Sequence, residues 1–503
     1  MATTAGSETG SDNVLRSERI AGGILPKVLN SFDMVAIFVA IVLFISNSAG
    51  LAAGAGPAAY VYWGLGFLTF LIPGAIVTGQ LGLMFPGEGS IYVWTNKAFG
   101  PFMGFFAGFC AWWPGVLVMI ATGDAVVSLI QQLNANWLSE PWQQGLVIIA
   151  VIAFSCVLSV LRFRVTQNLV NVVFVAYGGA ILLIGLAGLL SVFGGHATPV
   201  DYSAAHWAPS PATYTFYGTV ILALLGVEVP LNMGVEITQS RAITRYLLWG
   251  SAVVIIAYLI GTFGVMNAVP LKDQGSPSAV AEAVQHGFGA AGPFLGILVN
   301  FILIGFFLFN TTVYNYSFAR LLFVSGLDRR LPAIMSRVNA NKIPWVAVVV
   351  QTVIAAFFTA VSFILIPYTI RTGTTAANLS TDLYWILQAA VTVIWCISMV
   401  ILFVDVIIIR RKYSDTFSRI QLAPTWVFYL CSVIGMIASA VGVVVIFTAP
   451  WTSTGDVSTS QWQLIIIGIT IISLLVGIAL FFVGQRTANA NVSDEEIIAE
   501  ATK

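Results

Sequence analysis

One carboxylate, Glu228, stands in the middle of an apolar run, between Gly226 and Pro230. Where such a run crosses a bilayer, a charge at its centre is costly, so residues of this kind usually line a cavity and serve a function. The Glu228 carboxylate can bind the ammonium group of a substrate or take up a proton. A protonated glutamate that hydrogen-bonds to nearby backbone is the structural alternative.

A second polar interruption, Ser46–Ser48, divides another apolar run. Ser and Asn side chains offer the backbone alternative hydrogen bonds, which favours caps and turns over helix interiors. Gly226 and Pro230 weaken the other run, because glycine lowers helix propensity and proline lacks an amide N–H. Both runs are therefore predicted to be broken helices, with two ordinary kinks as the alternative.

Paired broken helices at membrane depth are typical of substrate sites. N–H groups freed at the start of a half-helix bind a carboxylate, and freed carbonyls bind a cation or an ammonium group. The predicted substrate-binding residues are therefore those at the two breaks: Ile45, Ser46, Asn47, Ser48, Ala49 and Gly50 in the first, and Leu225, Gly226, Val227 and Glu228 in the second.

Five further residues are candidates for coupling or gating. Asp124 is a second acidic residue inside an apolar run, where a hydrogen bond between helices is an equal alternative. The rings of Trp113 and Trp395 can cover a bound substrate or cation, although packing is the commoner role of any one ring. Thr312 and Asn315 belong to a polar stripe expected opposite the first break, and ordinary interhelical hydrogen bonds are the alternative.

Glu236 lies at the end of the run that contains Glu228, close in sequence to Arg241 and Arg245. This position favours an ion pair in a gate or loop over contact with substrate.

The composition indicates a membrane protein. Of the 503 residues, 58% are hydrophobic and 8% are charged, with a net charge of zero, whereas a soluble protein carries roughly 25% charged residues. No basic stripe points to nucleic acid. The four cysteines and three histidines show no paired or ligand-like spacing, so neither a disulfide scaffold nor a metal site is expected, and no cofactor is predicted.

A membrane-spanning helix needs about 20 mostly apolar residues. The long continuous runs of this chain favour helices over the alternating segments of roughly 10 residues that build a β-barrel. Twelve runs qualify: Ser31–Ala53, Ala58–Met84, Pro101–Leu133, Gln143–Leu161, Thr166–Phe193, Thr213–Ile237, Thr244–Ala268, Pro293–Val324, Pro344–Pro367, Leu383–Ile409, Thr425–Thr448 and Gln461–Gly484. The predicted fold class is an all-α integral membrane protein with twelve transmembrane helices.

The basic residues predict the orientation. With the N-terminus inside and twelve spans, only Lys272 and Arg371 of the 21 Lys and Arg residues fall on the outer side. Positive residues concentrate on the cytoplasmic side of a membrane, so both termini are expected to be cytoplasmic. The expected location is the inner (plasma) membrane of the cell. Met1–Ser11 and Thr487–Lys503 are expected to be solvated tails.

The two predicted breaks fall in spans 1 and 6, which are five spans apart. This spacing predicts two inverted halves, each of five helices. The expected divisions are a tail at 1–27, helices 1–5 at 28–194, helices 6–10 at 213–412, helices 11–12 at 425–484, and a second tail at 485–503.

Several segments, in order from Val28 to Pro424, together resemble the amino acid–polyamine–organocation (APC) superfamily, specifically bacterial amino acid permeases. Phe85–Gly100 resembles the family segment P-x-G-G-x-Y-x-W…A-F-G. Gly226–Ile237 is similar to G-x-E…x-E-[VI], and Ala319–Pro332 is similar to S-R-L-x-[FY]…D-G-x-L-P. The resemblance implies a LeuT-like five-plus-five inverted repeat with broken helices 1 and 6 and two extra C-terminal helices, with the substrate held between the broken helices.

The sequence departs from the family pattern at two places. Ser46–Ser48 stand where the family usually has G-x-G-I-F, so a carboxylate site of different construction is expected. Gly178 or Gly179 takes the place of a lysine that some members use as a proton carrier, so that coupling device is predicted to be absent.

The predicted function is a secondary active transporter that moves amino acids by alternating access, proton-coupled or by exchange. A polyamine or other organic cation carrier of the same fold is the alternative, because Glu228 with Asp124 suits a cation. The expected partners are a small-molecule substrate, the lipid bilayer and, if coupled, protons, with no nucleic acid. A membrane enzyme would need a nucleophile, metal cluster or acid–base pair near the interface, and a channel would need a continuous polar pore; the sequence suggests neither.

Overall fold

The computed structural model describes residues 14–134, 136–274, 278–369, 376–451, 457–488 and 493–502. Within these ranges the regular structure is helical, and no β-strand is present. Two isolated backbone bridges occur there, Leu29–Ile237 and Glu88–Met233.

The helices follow the apolar runs of the sequence. Those of the first part of the chain are α1 (Arg16–Ile24), α2 (Ser31–Val42), α3 (Asn47–Ala55), α4 (Ala58–Gly66), α5 (Ile72–Met84), α6 (Ser90–Phe99), α7 (Pro101–Leu133), α8 (Pro141–Val160) and α9 (Phe163–Phe193). Those of the second part are α10 (Phe216–Leu224), α11 (Arg241–Ala268), α12 (Ala279–Gly287), α13 (Gly292–Leu327), α14 (Trp345–Thr359), α15 (Ile366–Thr369), α16 (Ala376–Lys412), α17 (Ser414–Arg419), α18 (Thr425–Ile446), α19 (Thr459–Ala488) and α20 (Asp494–Ala501).

Ten helical segments of the described chain are long and apolar enough to cross a membrane. Helices α2 and α3 meet at a bend of 44° and form an eleventh when taken as one span. The predicted span Thr213–Ile237 is not a continuous helix: α10 ends at Leu224, and two 3₁₀ turns, Val229–Asn232 and Gly234–Glu236, follow it. The all-α membrane architecture is confirmed, while the count of twelve stays a prediction.

Two spans contain wide π-helical turns, and a proline explains each. The π turn Phe67–Leu71 joins α4 to α5 and precedes Pro73; the π turn Ala360–Leu365 joins α14 to α15 and precedes Pro367. A proline ring clashes with the carbonyl four residues earlier, which lies inside the π turn in both cases. A local π turn removes that clash while the span continues.

The two interrupted segments lie in the interior of the helical bundle. Helix α2 packs against α9, α11 and α13, and the turn Val229–Asn232 packs against α2, α6 and α13. Backbone without helical hydrogen bonds is tolerated at membrane depth where protein surrounds it. The surrounding helices therefore have to supply partners to the freed backbone groups.

The two ends of the described chain meet on one face of the bundle, which we call the terminal face. Ile20 and Ile24 of α1 share an apolar cluster with Ile497 and Ala501 of α20, at the end of α13. The Val338 amide donates to the Ala501 carbonyl over 2.7 Å. The prediction of a solvated tail is therefore wrong for α20, whose apolar side packs against the protein, and Met1–Ser11 lie outside the described residues.

Candidate functional site

Three tyrosine hydroxyls occupy the break between α2 and α3. The hydroxyl of Tyr314 on α13 donates to the Ile41 carbonyl over 2.7 Å. That of Tyr258 on α11 lies 2.9 Å from the Val42 carbonyl. That of Tyr177 on α9 donates to the Leu43 carbonyl over 3.1 Å. Each of three consecutive carbonyls thus has a tyrosine from a different helix.

Two of these hydroxyls also accept hydrogen bonds. The Phe44 amide donates to Tyr258 and the Ile45 amide donates to Tyr177, both over 3.1 Å. The Tyr258 hydroxyl also lies 3.2 Å from the Ala223 carbonyl in the last turn of α10. Tyr258 therefore joins the two broken segments directly.

Sequence reasoning did not identify these tyrosines. They lie in apolar helices, where packing is the ordinary role of an aromatic ring. The available signal was chemical, since a buried tyrosine hydroxyl usually needs a hydrogen-bond partner and a broken helix offers free carbonyls.

The break after α10 is built around Gly226 and Glu228. Gly226 has a φ of +104°, a conformation that side chains with a Cβ rarely adopt, and a Cβ there would overlap Ile41 beside the first break. Glu228 is 1% exposed and immediately precedes the turn Val229–Asn232. The break therefore places the carboxylate inside the protein, beside the other broken segment.

Glu228 makes one side-chain hydrogen bond. Trp395 Nε1 on α16 donates to Glu228 Oε1 over 3.0 Å. The other oxygen, Oε2, is buried and has no hydrogen-bond partner. An unpaired buried carboxylate oxygen is an acceptor that a proton or an ammonium group can satisfy.

The observed break begins a few residues before the Ser46–Ser48 segment from which it was predicted. The non-helical residues are Leu43–Ser46, while Asn47 and Ser48 begin α3. The amides of Asn47, Ser48 and Ala49 donate to the carbonyls of Phe44, Ile45 and Ser46, over 2.9, 3.0 and 3.0 Å. The start of α3 is therefore closed by tight local turns.

Of the five coupling or gating candidates, Trp395 contacts Glu228. Trp113 instead donates to Ser473 on α19 over 3.1 Å. Asp124, which is partly buried on α7, interacts electrostatically with Tyr384 on α16. The structure does not bring Trp113 to the two breaks.

The predicted polar stripe on α13 is oriented away from the first break. Asn315 donates to Ser155 on α8 and to Thr352 on α14, over 3.1 and 2.9 Å. The Thr312 hydroxyl donates to the Leu308 carbonyl of its own helix over 3.3 Å. The α13 side chain that bonds the break is Tyr314, which points to another side of the helix from its neighbour Asn315.

Glu236 forms the ion pair expected of it, but with a different arginine. Arg320 Nη2 on α13 lies 2.9 Å from Glu236 Oε1, and Arg320 Nε donates to the same oxygen over 3.0 Å. Arg241 and Arg245, which are closer in sequence, are on the following helix. Glu88, from the segment between α5 and α6, is a second carboxylate beside Arg320, at 3.8 Å.

Comparison with known proteins gives the family. The sequence model of a family described as "Amino acid permease" matches residues 29–472. The chain is 22% identical over 333 residues to the probable agmatine/putrescine antiporter AguD of Lactococcus lactis, an alignment that covers 64% of this chain and 70% of that protein.

Two other relatives have a different named substrate. The probable GABA permease of Pseudomonas aeruginosa is 24% identical over 350 residues, covering 64% of this chain and 68% of that protein. The gamma-aminobutyric acid permease of Escherichia coli is 26% identical over 349 residues, covering 63% of this chain and 68% of that protein.

Proposed function

This chain belongs to the amino acid permease family, and we propose that it is a secondary active transporter that moves amino acids across the cytoplasmic membrane by alternating access. The observation that carries the proposal is Glu228, a buried carboxylate with one unpaired oxygen, set between two broken helical segments. Transport is coupled to protons or to the exchange of substrates.

In this proposal the segment 213–237 completes a set of twelve spans, and helices 1–5 and 6–10 form inverted repeats over residues 28–194 and 213–412. The two broken segments then occupy equivalent places in the repeats. The terminal face is the cytoplasmic face, in keeping with the basic residues that the sequence concentrates on that side.

The substrate ammonium group binds Glu228 Oε2, because that oxygen is an acceptor with no partner in the ligand-free protein. The substrate carboxylate binds the amides of Phe44 and Ile45 after it displaces the hydroxyls of Tyr258 and Tyr177. The tyrosines therefore keep the first break satisfied when no substrate is present, and substrate exchanges one set of hydrogen bonds for another.

A polyamine or other organic cation carrier is the second candidate, and the first break provides an observation in its favour. Five backbone amides at this break already donate within the protein, namely those of Phe44, Ile45, Asn47, Ser48 and Ala49. A diamine requires only the carboxylate of Glu228 and no free amide. The similarity to an agmatine/putrescine antiporter agrees with this candidate.

Thermal stabilisation of the detergent-purified protein separates the two. The panel contains the standard amino acids, 4-aminobutyrate, agmatine and putrescine, and the matched control is Glu495→Gln, a change of the same chemistry on the exposed side of α20. A ligand that binds the folded state raises the melting temperature by mass action.

We expect an amino acid to stabilise the wild type and Glu495→Gln, and Glu228→Gln to lose the effect. Stabilisation by agmatine or putrescine alone would favour the cation carrier. Equal stabilisation of Glu228→Gln and wild type would contradict the assignment of Glu228 to either site.

A further inference from the structure

We propose that Glu88 and Glu236 hold one shared proton beside Arg320 when the terminal face is closed, and that this proton is released when the face opens. The site is separate from Glu228 and has a different ligand, a proton from the solution on the terminal side. Its link to opening depends on the alternating-access function proposed above, whereas the existence of the protonated pair does not.

The three side chains are withdrawn from water. The side chains of Glu88 and Arg320 are 0% exposed and that of Glu236 is 1% exposed. Glu236 receives two close contacts from the guanidinium, and Arg320 Nη1 donates to the Tyr316 carbonyl over 2.9 Å. Arg320 is therefore committed mainly to Glu236 and to its own helix.

Glu88 interacts with Arg320 more weakly than Glu236 does. Its Oε1 lies 3.8 Å from Arg320 Nε, beyond hydrogen-bond length, and has no hydrogen-bond partner. Its Oε2 accepts from the Val235 amide over 3.2 Å. One oxygen of Glu88 is thus a buried, unpartnered group directed into the cluster.

The cluster holds two carboxyl groups and a single cation. A buried charge without a counter-charge is costly, and a carboxyl group in that position takes up a proton instead. Two adjacent carboxylates cannot both ionise freely, so one proton is shared between them. Burial and the neighbouring Glu236 carboxylate raise the pKa of Glu88 well above its ordinary value, against the opposing effect of Arg320.

Among the residues that the structure describes, Arg320 is the one cation that acts on Glu88. The electrostatic partners of Glu88 are Glu236 and Arg320. The charged groups on the neighbouring elements have other partners, as follows: Lys97 of α6 pairs with Glu18 of α1, Arg19 of α1 pairs with Asp494, Arg164 pairs with Asp33, and Asp328 at the end of α13 accepts from Ser17. Arg16 is the remaining charged residue of α1 and also has a partner.

The cluster joins three elements that an opening motion would separate. Glu88 belongs to the α5–α6 segment, Glu236 to the turn after the second break, and Arg320 to α13. The Gly89 amide donates to the Asn232 carbonyl over 2.9 Å, and the Ser90 hydroxyl donates to Asn232 Oδ1 over 2.6 Å. Opening between these elements would admit water to Glu88.

The direction of the pH effect follows from the two states. The closed state, with the raised pKa, binds the proton more tightly than an open state in which Glu88 is hydrated. Low pH therefore stabilises the closed face, and this stabilisation is lost as the pH rises through the raised pKa. Opening toward a less acidic solution releases the proton.

Infrared difference spectroscopy of the lipid-reconstituted protein, titrated with pH and without substrate, tests the proposal. A protonated carboxyl group has a carbonyl stretching band that an ionised carboxylate lacks. We expect a titrating component of this band in the wild type that is missing from Glu88→Gln and also from Glu236→Gln, because in either variant the remaining carboxylate pairs with Arg320 and ionises. The band should persist in Glu228→Gln and in Glu495→Gln.

A band that titrates with the same amplitude in Glu88→Gln as in the wild type would overturn the proposal, as would the absence of a titrating band from the wild type. Glu88→Gln keeps the size of the protonated acid, and its melting temperature over the same pH range gives a second readout. The wild type should lose more stability than Glu88→Gln as the pH rises; identical pH dependence would contradict the shared proton. Because neither measurement uses a substrate, failure here is distinguishable from failure of the transport function.

Discussion

Trp395 Nε1 donates a hydrogen bond to Glu228 Oε1 over 3.0 Å, and this contact fixes the carboxylate between the two broken segments. The indole also packs edge-on against Phe318 of α13, with ring centroids 5.6 Å apart. Helix α16 thus holds the central carboxylate by one oxygen and leaves the other available.

Trp395→Phe separates that hydrogen bond from ring packing. We expect the free energy of unfolding to fall by about 1–3 kcal/mol, because a buried acceptor loses its donor. Substrate affinity should fall too, because Glu228 is no longer held in position. Trp462→Phe is the matched control: it removes a buried 2.8 Å bond to the Ile446 carbonyl, between α19 and α18, so it should lower stability without changing the affinity measured by substrate titration. Equal affinity losses in both variants would contradict a positioning role for Trp395.

Tyr258→Phe tests the link between the two breaks. It removes one hydroxyl that serves the Phe44 amide and the carbonyls of Val42 and Ala223. We expect a loss of about 1–3 kcal/mol for each backbone group left unsatisfied, moderated where water enters. The melting temperature should fall well below that of the control variant Tyr368→Phe. That variant loses only an exposed hydrogen bond from the Tyr368 hydroxyl to Glu140. A melting temperature equal to that of the control would show that the break does not depend on Tyr258.

Both breaks could be predicted from local chemistry, because Pro230, Gly226 and Ser46 weaken helices by their own conformational preferences. The first break lies a few residues earlier than the Ser46–Ser48 segment because the tyrosines capture carbonyls from Ile41 to Leu43. Those hydrogen bonds come from three helices that are distant in sequence, so the residues around the break do not predict them.

The rotation of each helix about its own axis was the second feature that the sequence could not predict. A helix that is apolar on all sides has no periodicity to show which side faces a given neighbour. Asn315 and Tyr314 are adjacent in sequence but point to different sides of α13, so the polar stripe could be assigned to the wrong neighbour. Glu236 was correctly expected to form an ion pair. Its partner Arg320 is distant in sequence, so the nearby Arg241 was the wrong residue to consider.

Gly226→Ala tests the backbone conformation of the second break. A positive φ of +104° strains a residue with a Cβ, and the added methyl overlaps Ile41. The strained backbone alone should lower the free energy of unfolding by about 1–3 kcal/mol. Gly178→Ala in α9, where a Cβ meets no atom within 4 Å, should leave stability unchanged or raise it, because alanine favours the helix. The thermal melts of the two variants check the contrast, and a similar loss in both would contradict it.

Arg320→Gln tests the cluster at the terminal face. Removal of the one cation leaves Glu236 without its counter-charge, and breaking a buried ion pair in this way costs about 3–5 kcal/mol. The double variant Arg320→Gln/Glu236→Gln should recover much of that loss, because no unpaired charge remains at Glu236. Thermal melts of the single and double variants provide the measurement, and an additive loss in the double variant would contradict the coupling.

Counterflow in proteoliposomes tests the central claim most directly, namely that Glu228 binds the substrate of an alternating-access carrier. Vesicles loaded with the unlabelled stabilising compound should transiently accumulate the same labelled compound, at a rate that saturates. We predict that Glu228→Gln lowers this rate by roughly tenfold or more, equivalent to at least ~1.4 kcal/mol, while Glu495→Gln retains it. Wild-type counterflow in Glu228→Gln, or non-saturating uptake without counterflow in the wild type, would contradict the account.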